Sequence, residues 1–339
     1  MNTQDITNIK KLLSSPKKII IVPHKNPDGD AIGSTLGLYH YLLKGNHQIH
    51  VISPNDYPNF LKWIPGEKTI LKHDSQTKIC DAFIEAADII FTLDFNALHR
   101  TGNMETVLAE SKAIKIMIDH HQAPDAYATY VFSDVSMSST CEMVYHFIEM
   151  LGDSNLIDNN IATCLYVGIM TDTGSFRFPS TTNKTHQIIA HLIEKGANNA
   201  NIHNQVFDAN SYQSLQLLGC ALTNLKMIPE CRTAYITLSQ EELNRYDYKK
   251  GDTEGIVNYG LSIENIMLAA IFIEDKQEGI IKISLRSKGH FSVNDMARTH
   301  FNGGGHINAA GGKSFLSLKD TVEKFISILP SYKKALNNE

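Results

Sequence analysis

Apolar residues in the first half of the chain fall in short β-branched runs separated by longer stretches of helical periodicity. Lys18–Val22 (KIIIV), His50–Ser53 (HVIS), Asp88–Leu93 (DIIFTL) and Ile114–Ile118 (IKIMI) are too short for helices and do not alternate with polar residues. Runs of this kind predict strands buried on both faces. The first run is followed by a predicted helix over Ala31–Lys44, ended by Gly45-Asn46. Asn159–Thr171 is apolar almost all round, which suits a buried helix. Strands alternating with helices predict a mainly parallel sheet flanked by helices, an α/β fold.

Near residue 180 the pattern changes. Residues 180–220 are polar and helical in character, without a strong strand. Beyond Pro229, Thr233–Leu238 reads as a strand, and Ser239 with Glu242 forms the capping-box start of a short helix. Ile266–Ile273 and Ile280–Ser287 read as a hairpin around the polar turn EDKQEG. Ser317–Leu329 is amphipathic, with Ser317 and Asp320 as capping pair and Pro330 placed beyond its end. The expected organisation is a first α/β domain over 1–185, a helical linker over 186–225 and a smaller α/β domain over 226–339, with a ligand cleft between the two domains.

Composition narrows the function classes. The chain has 339 residues, 42% hydrophobic and 20% charged, which excludes a disordered, collagen-like or rod-like protein. It contains no run of ~18 apolar residues and no apolar leader, and its five cysteines are scattered without a CxxC pair. A cytoplasmic protein with reduced thiols and no membrane contact is expected. The net charge of −5 and the lack of a basic stripe argue against tracking long duplex DNA. The charge is uneven, −6 over residues 1–220 and +1 over 221–339. Carboxylates gathered for metal would produce this, although a solvated acidic face alone would too.

The chemistry-bearing residues cluster at strand ends. Ligands of open parallel sheets bind beyond the carboxyl ends of the strands. KIIIV runs into PHKNPDGDAIGS, which places His24, Asp28 and Asp30 there; DIIFTL runs into Asp94; IKIMI runs into Asp119-His120-His121; and the buried helix ends at Asp172. A single Asp after a strand is usually a helix cap, and a lone His is usually structural. In HxxxDxD, Gly29 would let the backbone turn so that both carboxylates face one point. Four segments delivering acid and imidazole to one edge make the purely structural account improbable. Oxygen ligands mixed with imidazole favour Mn²⁺, with Mg²⁺, Co²⁺ or Fe²⁺ as alternatives. Six ligand side chains exceed the need of one ion, so two metals sharing a carboxylate are expected.

The motifs HKNPDGDAIGS, LDFN, DHH and GIMTDTGSF, with FNGGGHINAAGG near the C-terminus, resemble those of the DHH phosphoesterase superfamily. The resemblance covers nearly the whole chain. It is nearest to the stand-alone nanoRNase group of bifunctional oligoribonucleases and pAp phosphatases, exopolyphosphatase-related and RecJ-like. It implies one metal on His24, Asp28 and Asp94, and a second on Asp30, Asp94, His120 and Asp172. Asp119 would orient His120 from behind, and His121 would contact the scissile phosphate or the leaving oxygen. Three glycines alone usually mean a mobile loop; beside the metal motifs, Gly303, Gly304 and Gly305 are expected to form a backbone nest for an anion. His306 and Arg286 would add donors to the same phosphate, and Arg177 is a weaker candidate. Tyr57, Phe60 and Trp63 are expected to pack rather than stack a base.

The implied activity is Mn²⁺-dependent hydrolysis of short oligonucleotides to mononucleotides and of pAp to AMP. Two alternatives stay open: a phosphodiesterase of cyclic di-AMP or linear dinucleotides, and a non-catalytic nucleotide-binding regulatory module. Short nucleotides are the expected partners, and a homodimer is left open.

Overall fold

The computed structural model of the chain describes residues 1–338, which fold as two compact units, one ending at Ala209 and the other starting at Asn210. The first unit contains, in order, α1 (Thr3–Leu13), β1 (Lys18–Val22), α2 (Gly29–Leu42), β2 (Gln48–Ser53), β3 (Leu71–Lys72), α3 (His73–Glu85) and β4 (Ile89–Leu93). It continues with α4 (Glu105–Glu110), β5 (Ile114–Asp119), β6 (Tyr130–Ser133), α5 (Thr140–Met150), α6 (Asn159–Asp172), α7 (Asn183–Glu194) and α8 (Asn199–Phe207). Its six strands run in the order β3-β2-β1-β4-β5-β6, all parallel.

The apolar runs are continuous because both faces of this sheet are covered. In β1, Ile19 and Ile21 enter the core shared with α2, α5 and α6. Ile20 and Val22 enter the opposite core with Ile84 of α3 and Leu108 of α4. Each such side chain contributes ~1.5–3 kcal/mol on full burial. Tyr57, Phe60 and Trp63 pack in or against the first core, and the Tyr57 hydroxyl donates to Glu67 Oε1 at 3.0 Å. Gly29 is the first residue of α2 and serves close packing, not the turn expected of it. A Cβ there would lie 2.3 Å from Thr171 Oγ1 of α6.

The second unit comprises α9 (Tyr212–Thr223), β7 (Lys226–Ile228), β8 (Thr233–Leu238), α10 (Gln240–Arg245), α11 (Val257–Leu261) and β9 (Leu268–Asp275). Next come β10 (Ile280–Ser287), α12 (Val293–His300), β11 (Gly304–Gly305), β12 (Ala309–Ser314) and α13 (Leu318–Asn337). The sheet order is β11-β12-β10-β9-β8-β7, antiparallel except for β8 beside β9. The Ser239–Glu242 capping box forms at α10.

Proline did not end the last helix. Pro330 lies inside α13, which runs on to Asn337. An interior proline costs ~3 kcal/mol, and the turns beyond it offset this. Leu336 is buried, Tyr332 packs against Phe291, and Arg232 Nη1 donates to the Leu336 carbonyl at 3.0 Å. Among the described residues no helix is long and apolar enough to cross a membrane.

Candidate metal centre

The strand order explains why distant motifs meet. β4 lies between β1 and β5, so the loop after each opens at the same sheet edge. Asp94, directly after β4, takes a left-handed φ of 65°. An aspartate tolerates this conformation at a small cost, and such strain gathers at functional positions. Asp94 Oδ2 lies 3.4 Å from His24 Nε2, while Oδ1 lies 3.6 Å from His120 Nε2. The carboxylate therefore stands between two groups. His24, Asp28 and Asp94 make one, and Asp30, His120 and Asp172 the other. In the first, Asp28 Oδ2 is 3.9 Å from His24 Nε2. In the second, His120 Nε2 is 3.8 Å from Asp30 Oδ2 and 3.4 Å from Asp172 Oδ2.

These residues fit a cation. His24 Nδ1 donates to the Lys25 carbonyl at 2.8 Å and His120 Nδ1 to the Met137 carbonyl at 3.2 Å. With the Nδ1 proton so placed, each Nε2 turns its lone pair towards carboxylate oxygens. Acceptor faces acceptor unless a proton or a metal lies between them. Separations of 3.4–3.9 Å are long for hydrogen bonds. They are near the ~3.0–3.4 Å between neighbouring ligands whose bonds to one ion are ~2.1 Å. Imidazole held by a carbonyl on its far side is the usual support of a metal-bound histidine.

The electrostatics tell the same story. Burial and the charges of Asp94 and Asp172 push the Asp30 carboxyl well above the usual carboxylate range. Burial opposes charge on Asp94, but the close His24 imidazole and the neighbouring His121 and His120 outweigh it and hold its pKa low. Burial likewise opposes charge on His120, yet Asp172, Asp94 and Asp30 push it up to about 9. His24 is raised against its own burial by Asp94 and Asp28. Carboxylates and imidazoles packed so closely hold protons at positions that a divalent cation could take instead.

Asp119 takes a different role from the one implied. Its Oδ1 accepts from His121 Nδ1 at 2.7 Å, so the residue it steadies is His121, whereas His120 is braced by the Met137 carbonyl. A one-residue shift rotates successive side chains after the strand, which adjacent letters do not reveal. Asp119 is fully buried and its Oδ2 has no hydrogen-bond partner. Burial, with the charge of Arg100, lowers the His121 pKa even against that hydrogen bond.

One support was not read from the sequence. α5 starts at Thr140, and the Thr140 and Cys141 amides donate to Asp30 at 2.6 and 2.8 Å. A helix N-terminus stabilises a carboxylate there. The Thr140 hydroxyl also donates to Asp94 Oδ1 at 2.9 Å. The signal was present in SSTCE, where Ser139 caps the helix by accepting from the Glu142 amide.

In the second unit the glycine run does not form the expected nest. The Gly303 amide donates to the Ala297 carbonyl, Gly305 to Asn294 Oδ1 and His306 to the Ala309 carbonyl. Glycine is needed for space: a Cβ on Gly303 would lie 1.9 Å from the Gly311 carbonyl oxygen. Arg286, at the end of β10, pairs in register with Ala309 of β12, so the turn carrying His306 adjoins it. Arg177 is exposed, and its Nε donates to the Gly174 carbonyl.

Two family models match the chain: the N-terminal domain of the DHH family over residues 18–169 and the DHHA1 domain over residues 233–334. The chain belongs to the DHH family. The crystal structure of an exopolyphosphatase-related protein from Bacteroides fragilis is 42% identical, with a TM-score of 0.94 over 99% of this chain and 98% of its own. A bifunctional oligoribonuclease and PAP phosphatase of Thermus thermophilus is 29% identical over 90% of this chain and 86% of its own length. RecJ of the same organism, in complex with Mn²⁺, shares the fold at 13% identity, with a TM-score of 0.57 over 98% of this chain and 55% of its own.

Proposed function

We propose that this DHH-family chain is a two-metal phosphoesterase that hydrolyses short oligonucleotides to mononucleotides and pAp to AMP. The observation that carries the reading is the position of Asp94, one oxygen turned to each ligand group. His24, Asp28 and Asp94 would hold one ion and Asp30, Asp94, His120 and Asp172 the other, with Mn²⁺ the best match to this oxygen and imidazole set. Bound there, the ions would lower the pKa of water and neutralise charge developing on phosphate.

The chain's own groups do the rest. Asp119 fixes the His121 ring and keeps the proton on Nδ1, which leaves Nε2 available as the proton carrier. A proton taken up at Nε2 from solvent would pass to the leaving oxygen as its bond to phosphorus breaks and water adds to phosphorus, with Asp119 beside the imidazolium that carries it. Arg286 and His306 are proposed to grip a phosphate away from the cut, while the glycines shape the loop that presents His306. Such remote binding positions the reacting bond. A net charge of −5 without a basic stripe supports short substrates over long ones.

The test is a panel on metal-loaded protein at fixed salt: di- to pentanucleotides, pAp, single strands of ~20 nucleotides, a cyclic dinucleotide and polyphosphate. Preference for the short nucleotides and pAp is expected. A preference for the long strand or the cyclic dinucleotide would replace the substrate assignment, and no turnover with any phosphoester would overturn the enzymatic reading.

A further inference from the structure

The loop that follows β4 carries an arginine that no motif singled out. Its segment is tied on both sides. The Lys25 amide donates to the Arg100 carbonyl at 2.8 Å, which joins it to the loop holding His24. Asn96 Nδ2 donates to the Gln122 carbonyl at 2.7 Å, and the Asp125 amide to the Asn96 carbonyl at 2.8 Å, which join it to the loop holding His121. Gly102, at φ 63°, keeps the turn close to Lys25: a Cβ there would lie 3.1 Å from Lys25 Cδ. Arg100 is therefore placed between the two histidine-bearing loops, at the carboxyl edge of the sheet.

The guanidinium lies within electrostatic reach of both His24 and His121. Five carboxylates crowd this edge, yet among the described residues none pairs with the Arg100 guanidinium, which is only half-buried. A surface arginine is often merely solvated. This one is anchored through its backbone beside the residues proposed to meet a phosphate, with its donors unused. Once metals balanced the carboxylates, the guanidinium would remain as a planar fork suited to two oxygens of one phosphate.

We infer that Arg100 is a substrate-binding residue of the first unit, engaging non-bridging oxygens of the phosphate that lies against His24 and His121. This rests on the phosphoesterase reading for its substrate, but not for its ligand chemistry, which is that of a phosphate anion.

The experiment compares wild type, Arg100→Lys and Arg100→Ala, all loaded with Mn²⁺. Metal content and thermal unfolding are measured first, then binding of inorganic phosphate by calorimetry, then kcat and KM on a dinucleotide. Unchanged metal content is expected, with phosphate binding weakened at least about tenfold in Arg100→Ala and partly restored in Arg100→Lys. kcat/KM should fall in parallel. Phosphate affinity within twofold of wild type in Arg100→Ala would overturn the inference, as would loss of Mn²⁺ in step with phosphate. If Arg100→Ala does not fold, Arg100→Gln takes its place with the same criteria. Arg100-dependent phosphate binding by a wild type that cleaves no phosphoester would sustain this inference and defeat the proposed function.

Discussion

The loops of the first unit and the glycine loop of the second treat their polar groups in opposite ways. After β1, β4 and β5, imidazole lone pairs face carboxylates at 3.4–3.9 Å, and a buried oxygen of Asp119 has no partner. Between α12 and β12, the amides of Gly303, Gly305 and His306 all donate to acceptors of their own unit. Buried groups opposed in this way are balanced only when a proton or a cation lies between them. In the second region these three amides are already satisfied, and Gly303 and Gly305 answer to crowding. A charged motif and a glycine motif look equally functional as letters, but only the first brings opposed buried groups together.

Asp94 offers the sharpest way to break this comparison. Losing a group that merely orients a metal ligand costs ~10–100-fold. Asp94→Ala removes the carboxylate facing both groups, so hydrolysis with Mn²⁺ should fall more than about 100-fold. Metal analysis should find fewer than two ions per chain. A variant of wild-type rate and full metal content would remove the two-metal reading.

Gly303→Ala tests the other half. Its Cβ would meet the backbone oxygen of Gly311, which cannot swing aside as a side chain can. Overpacking of this kind costs ~1–3 kcal/mol, to be read as a lower unfolding midpoint of the full chain in urea. Loss of phosphate binding with stability intact would restore the nest that the hydrogen bonds argue against.

The sequence made the first region legible because strand ends and charge are local properties. β8 and β10 have the predicted limits, and the residues placed at one edge by reading strand ends, with Asp172 at the end of the buried helix, are those that lie close together there. What escaped was set by tertiary contact. The partner of Asp119 depends on how two adjacent rings turn after β5. The support from Thr140 depends on where α5 begins relative to α2. Gly29 is explained by Thr171, about 140 positions away, and α13 passes Pro330 because Leu336 has a core to enter. β3 and β6, two and four residues long, are too short to announce themselves by periodicity.

The protons held by the first region give a gentler test. Metal must displace them, since a ligating histidine is neutral. His120 is pushed up to about 9 in the metal-free protein, and His24 is raised as well. Below that pKa each ion bound at His120 releases a proton, so Mn²⁺ affinity should rise with pH, by up to about tenfold per unit. Calorimetry between pH 6 and 8 measures the slope. Affinity that is flat over that range would mean that His120 is already neutral and that the carboxylates do not hold its proton.

The smallest effect expected is at Thr140. Its hydroxyl donates to Asp94 Oδ1, the oxygen that also faces His120, and does so from the first turn of α5. Thr140→Val keeps the shape and the amide that supports Asp30, and removes only this hydrogen bond. A bond to a charged group is worth ~1.5–3 kcal/mol when its partner is otherwise stranded. Asp94 keeps its interaction with His24, and a metal would compensate further, so the loss should sit at or below the lower bound. Mn²⁺ affinity and kcat should each fall a few-fold, with the substrate KM unchanged because Thr140 reaches no substrate. A rise in KM with metal affinity preserved would instead place the hydroxyl on the substrate side. The first region would then be completed by the nucleotide as much as by its metals.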